Sequence, residues 1–212
     1  NFGDAPFVRT QVEPHVVSMM TRIALAVRDV GLALGLNVLR NDAQAAMAIA
    51  AAVEASFIRI NIHTGAAWTD QGLIQGEAYK TLMYRKQLGV SVDIAADVMV
   101  KHATPAGTRT LLDAAKDTLS RGGARHLIVT GTATGATVNV NELAALRTSL
   151  PNTSIWIGSG IHMENVENVL RFADGAIVGT YFHRERDLDQ PLDTDRVSKL
   201  VRFVSEAYPQ PE

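Results

Sequence analysis

The chain has 212 residues, 47% of them apolar and 20% charged, with no cysteine and a net charge of −2 at pH 7. That excludes a disordered or collagen-like chain, a disulfide scaffold, thiolate metal sites and a cysteine nucleophile. It also excludes bulk attraction to nucleic acid or an anionic membrane surface.

The sequence contains no run of about 18 apolar residues that could span a bilayer. No charged-then-apolar leader opens it, and a cytoplasmic location is expected. Asn1-Phe-Gly-Asp4 reads as the end of a strand. From there, β-rich runs alternate with helical patterns. A helix over about 14–30 precedes a strand at Leu34–Leu39 and a helix over about 42–55, which Asp42 caps. The strand Phe57–Ile62 leads through a Gly/Thr-rich loop, with Asp70-Gln71-Gly72, to a helix over about 75–88. Ile94–Val100 and a helix over about 108–121 follow, opened by Pro105 or Thr108 and closed by Arg121-Gly122-Gly123. His126–Thr130, a helix over about 139–149, Ser154–Ile157, a helix over about 163–173 and Gly175–Val178 complete the alternation. A last helix over about 193–207 opens at Asp193-Thr194, and 209–212 is a tail.

Such alternation predicts βαβ units on a parallel sheet, either a (β/α)8 barrel or an open doubly wound sheet. Polar spacing favours the barrel. Phe57, Arg59, Asn61 and His63 share one face of their strand, against Ile58, Ile60 and Ile62 on the other. Asp97, Met99 and Lys101 line up likewise, as do Gly35, Asn37, Leu39 and Asn41. An inner strand of an open sheet reads apolar on both faces, whereas a barrel lumen accepts polar groups. Six strands fall short of eight, so a complete barrel of about 250 residues needs roughly 40–50 more upstream. The predicted fold is therefore one α/β TIM-barrel domain over 1–208, lacking the first strand–helix unit and most of the second strand.

In this fold the strand ends carry function. Gly158-Ser159-Gly160 and Gly179-Thr180 end the last two strands, where glycine turns let backbone N–H groups approach a phosphate. Lys101 suits proton transfer or a Schiff base if burial lowers its pKa. His63 and Asp70 suit acid/base work. Asn1, Asn37, Arg40, Asn61, Thr130 and Gly131 are candidate substrate contacts, and Thr132-Ala-Thr-Gly135 is a candidate lip of the same pocket. Arg59 reads as a buried structural charge that needs an acid, with Asp97 the candidate. His15, His126, His162 and His183 read as surface or cap residues. No metal motif, Walker loop, G-x-G-x-x-G or G-x-S-x-G is present, so no metal or cofactor is expected.

The combination of Asn1-Phe-Gly-Asp4, Gly35-Leu-Asn-Val-Leu-Arg-Asn-Asp42, Phe57-Ile-Arg-Ile-Asn-Ile-His-Thr-Gly65, Thr69-Asp-Gln-Gly72, Asp97-Val-Met-Val-Lys-His-Ala103, Ile128-Val-Thr-Gly131, Gly158-Ser-Gly160 and Ala173-Asp-Gly-Ala-Ile-Val-Gly-Thr180 resembles the BtpA/SgcQ family over almost the whole length. The resemblance implies a TIM barrel with a further strand, helix and strand ahead of Asn1. It implies two roles: a metabolic enzyme, or an assembly factor for photosystem I peripheral to a membrane. The last two strand ends also look like the phosphate sites of phosphoribosylanthranilate isomerase and its relatives. The expected function is isomerase- or lyase-type acid/base chemistry on a sugar or ribosyl phosphate, in a homo-oligomer that binds no nucleic acid polymer. An assembly factor and a phosphate-ester sensor are the alternatives.

Overall fold

The computed structural model describes residues 5–98, 103–107, 110–131 and 138–208. In chain order the elements are α1 (Pro14–Arg28), β1 (Gly35–Leu36), α2 (Ala43–Val53), β2 (Phe57–Ile60), β3 (Ala66–Thr69), β4 (Gly72–Gln75), α3 (Ala78–Leu88), β5 (Asp93–Val98) and β6 (Thr104–Pro105). They continue with α4 (Leu111–Ser120), β7 (His126–Val129), α5 (Val140–Ser149), β8 (Ser154–Ile157), α6 (Val166–Leu170), β9 (Gly175–Ala176), two 3-10 turns and α7 (Thr194–Ala207).

Local chemistry sets the helix ends. Pro14 occupies the first turn of α1, where its missing N–H costs nothing. Asp42 caps α2 by accepting from Ala45 N, and Asp193 caps α7 by accepting from Arg196 N. Two expected boundaries shift. Helix α4 opens at Thr110, whose hydroxyl accepts from Asp113 N, while Pro105 lies in β6. Helix α6 starts only at Val166, because Asn165 turns its side chain back onto the loop: Oδ1 accepts from His162 N and Nδ2 donates to Gly160 O.

Six strands pair in parallel in the order β1-β2-β5-β7-β8-β9. These are the six strands read from the sequence. Strand β1 is shorter than expected because side chains take over its edge: Asn37 Nδ2 donates to Arg59 O (3.1 Å), and Asn41 clamps Ile62 through both its backbone groups. The sheet is strongly curled. Strands β2 and β8 are three places apart, roughly 14 Å in a flat sheet. Yet the rings of Phe57 and Trp156 meet edge to face at 5.0 Å. The concave face is therefore a lumen, as in a (β/α) barrel.

The outer face is covered by helices in two apolar clusters. Ile58, Ile60 and Ile94 pack with Met47, Ile49 and Val53 of α2. Leu127, Val129, Ile155 and Ile157 pack with Ala115, Leu143, Leu146, Val166 and Leu200. The segment between β2 and α3 holds an element absent from the sequence reading. Strands β3 and β4 form an antiparallel hairpin turning at Asp70-Gln71, and β6 pairs with β3. Ile62, Ala67 and Ile74 form its small core.

Candidate functional site

The expected polar stripe exists, and it is a closed network. Strand β2 aims Arg59 into the lumen, and β5 aims Asp97. Arg59 Nε and Nη2 donate to Asp97 Oδ1 and Oδ2 at 2.9 and 3.0 Å, side-on and bidentate. Asn61 Nδ2 donates to the same Oδ2 at 2.8 Å, and its Oδ1 accepts from Asn37 at 3.3 Å. The Asp97 side chain is fully buried and that of Arg59 nearly so. Asn37, Asn61, Arg59 and Asp97 thus act as one unit across β1, β2 and β5.

Below this layer the lumen is floored by aromatic rings. His126 stacks on Trp156 at 4.3 Å, and its Nδ1 meets the Ser154 hydroxyl at 2.9 Å. This corrects the reading of His126 as a surface or cap residue. Burial is the main influence and pulls its pKa down, against the pull of Asp93. The alternation Ser154, Trp156, Gly158 on β8 was the signal that could have placed Trp156 inside.

Above the network the ends of β7 and β8 come together. Gly158 has to be glycine: a Cβ there would overlap Thr130 Cγ2 and sit 2.7 Å from Ile128 Cγ2 and 3.3 Å from Arg59 Nη2. Gly160 takes φ +78°, in the left-handed region. The hydroxyls of Thr130 and Ser159 are buried and have no hydrogen-bond partner among the described residues. Nor do the N–H groups of Ser159, Gly160, Gly179 and Thr180 bond a backbone carbonyl there. Gly179 leads into a 3-10 turn over Thr180–Phe182, and Gly131 is buried beside Thr130. Arg40 is buried at the end of β1, with Nε and Nη2 also without a partner among the described residues.

Two other expected site residues lie elsewhere. Strand β2 ends at Ile60, and the alternation does not extend to His63. Its ring is buried in the outer layer, with Nε2 at 2.7 Å from Gly122 O just beyond α4. A carbonyl only accepts, so Nε2 carries the proton and donates, leaving a bare, buried Nδ1 without a partner among the described residues. Burial, the largest influence, lowers its pKa; Arg85 adds to this, and the Gly122 bond opposes it. His63 also borders a polar cleft of about 340 Å³ between the hairpin and the N-termini of α2 and α3. Asp70 is exposed at the hairpin tip, where its carboxylate accepts from the Gln71 side chain. Asn1, Lys101 and Thr132-Ala-Thr-Gly135 lie outside the described residues.

A curled parallel sheet with helices outside, a polar lumen and open glycine turns at its strand ends defines a TIM-barrel-type protein. The chain belongs to the BtpA family, whose model matches residues 1–206. It is 43% identical over 207 residues to the photosystem I biogenesis protein BtpA of Synechocystis, covering 97% of this chain and 72% of that protein. An uncharacterised protein of Thermococcus kodakarensis is 42% identical, with 97% and 78% covered. The sgc region protein SgcQ of Escherichia coli is 29% identical, with 92% and 73% covered.

Among solved structures, thiamine phosphate pyrophosphorylase from Pyrococcus furiosus superposes with a TM-score of 0.61 at 16% identity, over 93% of this chain and 81% of that one. N-(5′-phosphoribosyl)anthranilate isomerase from Pyrococcus furiosus gives 0.57 at 14% identity, over 88% and 80%. These two likenesses show the fold. No helix among the described residues is long and apolar enough to cross a membrane.

Proposed function

We propose that the protein is an enzyme acting on a small phosphorylated metabolite, a sugar or ribosyl phosphate, by isomerase- or lyase-type acid/base chemistry. The phosphate sits on the turns Gly158-Ser159-Gly160 and Gly179-Thr180. The observation that carries this reading is the pair of buried hydroxyls, Thr130 and Ser159, without partners among the described residues, beside N–H groups that bond no backbone carbonyl there. Buried donors normally find acceptors, and a phosphate oxygen is one that all of these groups could share. The names of the two barrel neighbours, each with a phosphate-bearing compound in it, agree with this reading.

Asn37 and Asn61, held by Asp97 and Arg59, orient substrate hydroxyls from below. Proton transfer falls to Lys101, four residues beyond Asp97 in the sequence, since His63 is turned to Gly122 and Asp70 to solvent.

The test is a thermal-shift screen of the protein against phosphorylated sugars and nucleotides, with Ser159→Ala and Lys101→Ala alongside. A ligand that binds only the folded state raises the melting temperature. Ser159→Ala should abolish the shift, and Lys101→Ala should keep it while losing exchange of substrate C–H protons into heavy water. Binding without any turnover would leave a sensor.

A second reading, an assembly factor for a membrane complex, draws on the name of the Synechocystis relative. It is also favoured by exposed apolar side chains along and just after α1, among them Met19, Ile23, Val30 and Leu32. A screen without hits, together with membrane-complex binding lost in Ile23→Asp, would decide for it. A homo-oligomer is part of either reading, and a monomer by light scattering across a wide concentration range would refute that part.

A further inference from the structure

Arg40 sits in the turn that leads from β1 to α2, buried, with 9% of its surface exposed. A guanidinium keeps its charge at any physiological pH. A buried charge without a counter-charge is costly. Two carboxylates among the described residues, Asp42 two positions on in the chain and Asp97 in the lumen, are otherwise engaged. Asp42 accepts from Val12 N and Ala45 N through its two oxygens. Asp97 is held by Arg59 and Asn61. Asn41, next to it in the chain, is turned onto Ile62.

Nε and Nη2 are without a hydrogen-bond partner among the described residues. They form the side-on edge of the guanidinium, which presents two parallel N–H donors to both oxygens of a single carboxylate or phosphate. Arg59 uses this same edge on Asp97.

The sheet order places Arg40 far from the phosphate turns along the rim. Strands β2, β5 and β7 intervene between β1 and β8, and the curl carries β8 round to face β2. Arg40 and the 158–160 turn therefore lie at strand ends on opposite arcs of one mouth. We infer that Arg40 is a second oxyanion site, so that the substrate is two-headed, with its phosphate on the glycine turns and a carboxylate or second phosphate held side-on by Arg40. This rests on the proposed phosphate site and adds the substrate class to it.

The experiment is isothermal titration of the full chain with four probes: ribose 5-phosphate, 6-phosphogluconate, fructose 1,6-bisphosphate and gluconate. At least one two-headed probe should bind about tenfold or more tighter than ribose 5-phosphate, as a charge-assisted bidentate contact would give. Which of the two gains tells a carboxylate from a second phosphate. Arg40→Gln should erase that advantage and leave ribose 5-phosphate nearly unchanged. Arg40→Lys keeps the charge but not the fork, and should erase most of it too, which guards against a Gln variant that folds poorly. Ser159→Ala should instead weaken every phosphorylated probe.

Equal affinity for one- and two-headed probes would overturn the inference and leave the phosphate site standing. So would an Arg40→Gln loss shared by all probes, or a lower melting temperature of ligand-free Arg40→Met, which would mean that the guanidinium holds the protein together. Arg40-dependent binding of gluconate without binding of ribose 5-phosphate would keep Arg40 as an oxyanion site and overturn the phosphate reading. No binding of any probe would overturn both.

Discussion

Breaking the Arg59–Asp97 pair measures how dry the lumen is. Asp97→Asn keeps the shape of the side chain and removes its charge. Arg59 then keeps a buried guanidinium with no counter-charge among the described residues, since its Nε and Nη2 both donate to Asp97. Asn61 Nδ2 loses its carboxylate acceptor at the same time. Removing one member of a buried pair costs about 3–5 kcal/mol. For a chain of this size that lowers the melting temperature by roughly 6–20 °C, at about 2–4 °C per kcal/mol.

Arg59→Met should cost a similar amount, because it leaves the Asp97 carboxylate with Asn61 as its one side-chain donor among the described residues. The double variant Arg59→Met/Asp97→Asn should cost less than the two singles together, by roughly 1–3 kcal/mol of coupling. Urea unfolding followed by circular dichroism gives all four stabilities, and repeating it in high salt should change the coupling little, since buried pairs are poorly screened. Single-variant costs under about 1 kcal/mol that simply add would refute the reasoning, because that is how a solvated surface pair behaves.

Three further outcomes follow from the same geometry. Asp42→Ala should cost about 2–4 kcal/mol in urea unfolding, as it removes the α2 cap, about 1, and strands the buried Val12 N–H, about 1–3. Gly158→Ala should destabilise by about 1–3 kcal/mol through overlap with Thr130 and Ile128, and should weaken any phosphate ligand, checked by thermal shift with and without that ligand. His63, whose folded pKa is depressed below 6.5 mainly by burial, should make stability fall as pH drops below about 6.5. The unfolded chain takes up that proton first, so the contribution is full above pH 6.5 and is lost towards the folded pKa at no more than about 1.4 kcal/mol per pH unit. Because His126 is depressed as well, the His63 share is the part of the slope that disappears in His63→Gln.

The periodicity of the sequence determined the class of fold and much of the lumen. Alternation on the strand beginning at Phe57 put Arg59 and Asn61 on one face because side chains in a strand repeat every two residues. The charge of Arg59 demanded an acid, and Asp97, in phase on the next parallel strand, is that acid. The caps at Asp42 and Asp193 were equally legible, since an N-cap is a local hydrogen bond.

Tertiary structure decided the rest. Periodicity cannot say where a strand stops, so it carried His63 into a lumen that β2 leaves at Ile60, whereas packing against α4 turned the ring to Gly122. The β3–β4 hairpin hid in a short, weakly alternating run around Asp70-Gln71-Gly72, and its pairing with β6 joins residues more than thirty apart. That Arg40 Nε and Nη2 and the hydroxyls of Thr130 and Ser159 find no partner among the described residues could not be read from a chain, because a missing bond is a property of everything that surrounds a group, and only the folded strands bring those surroundings into place.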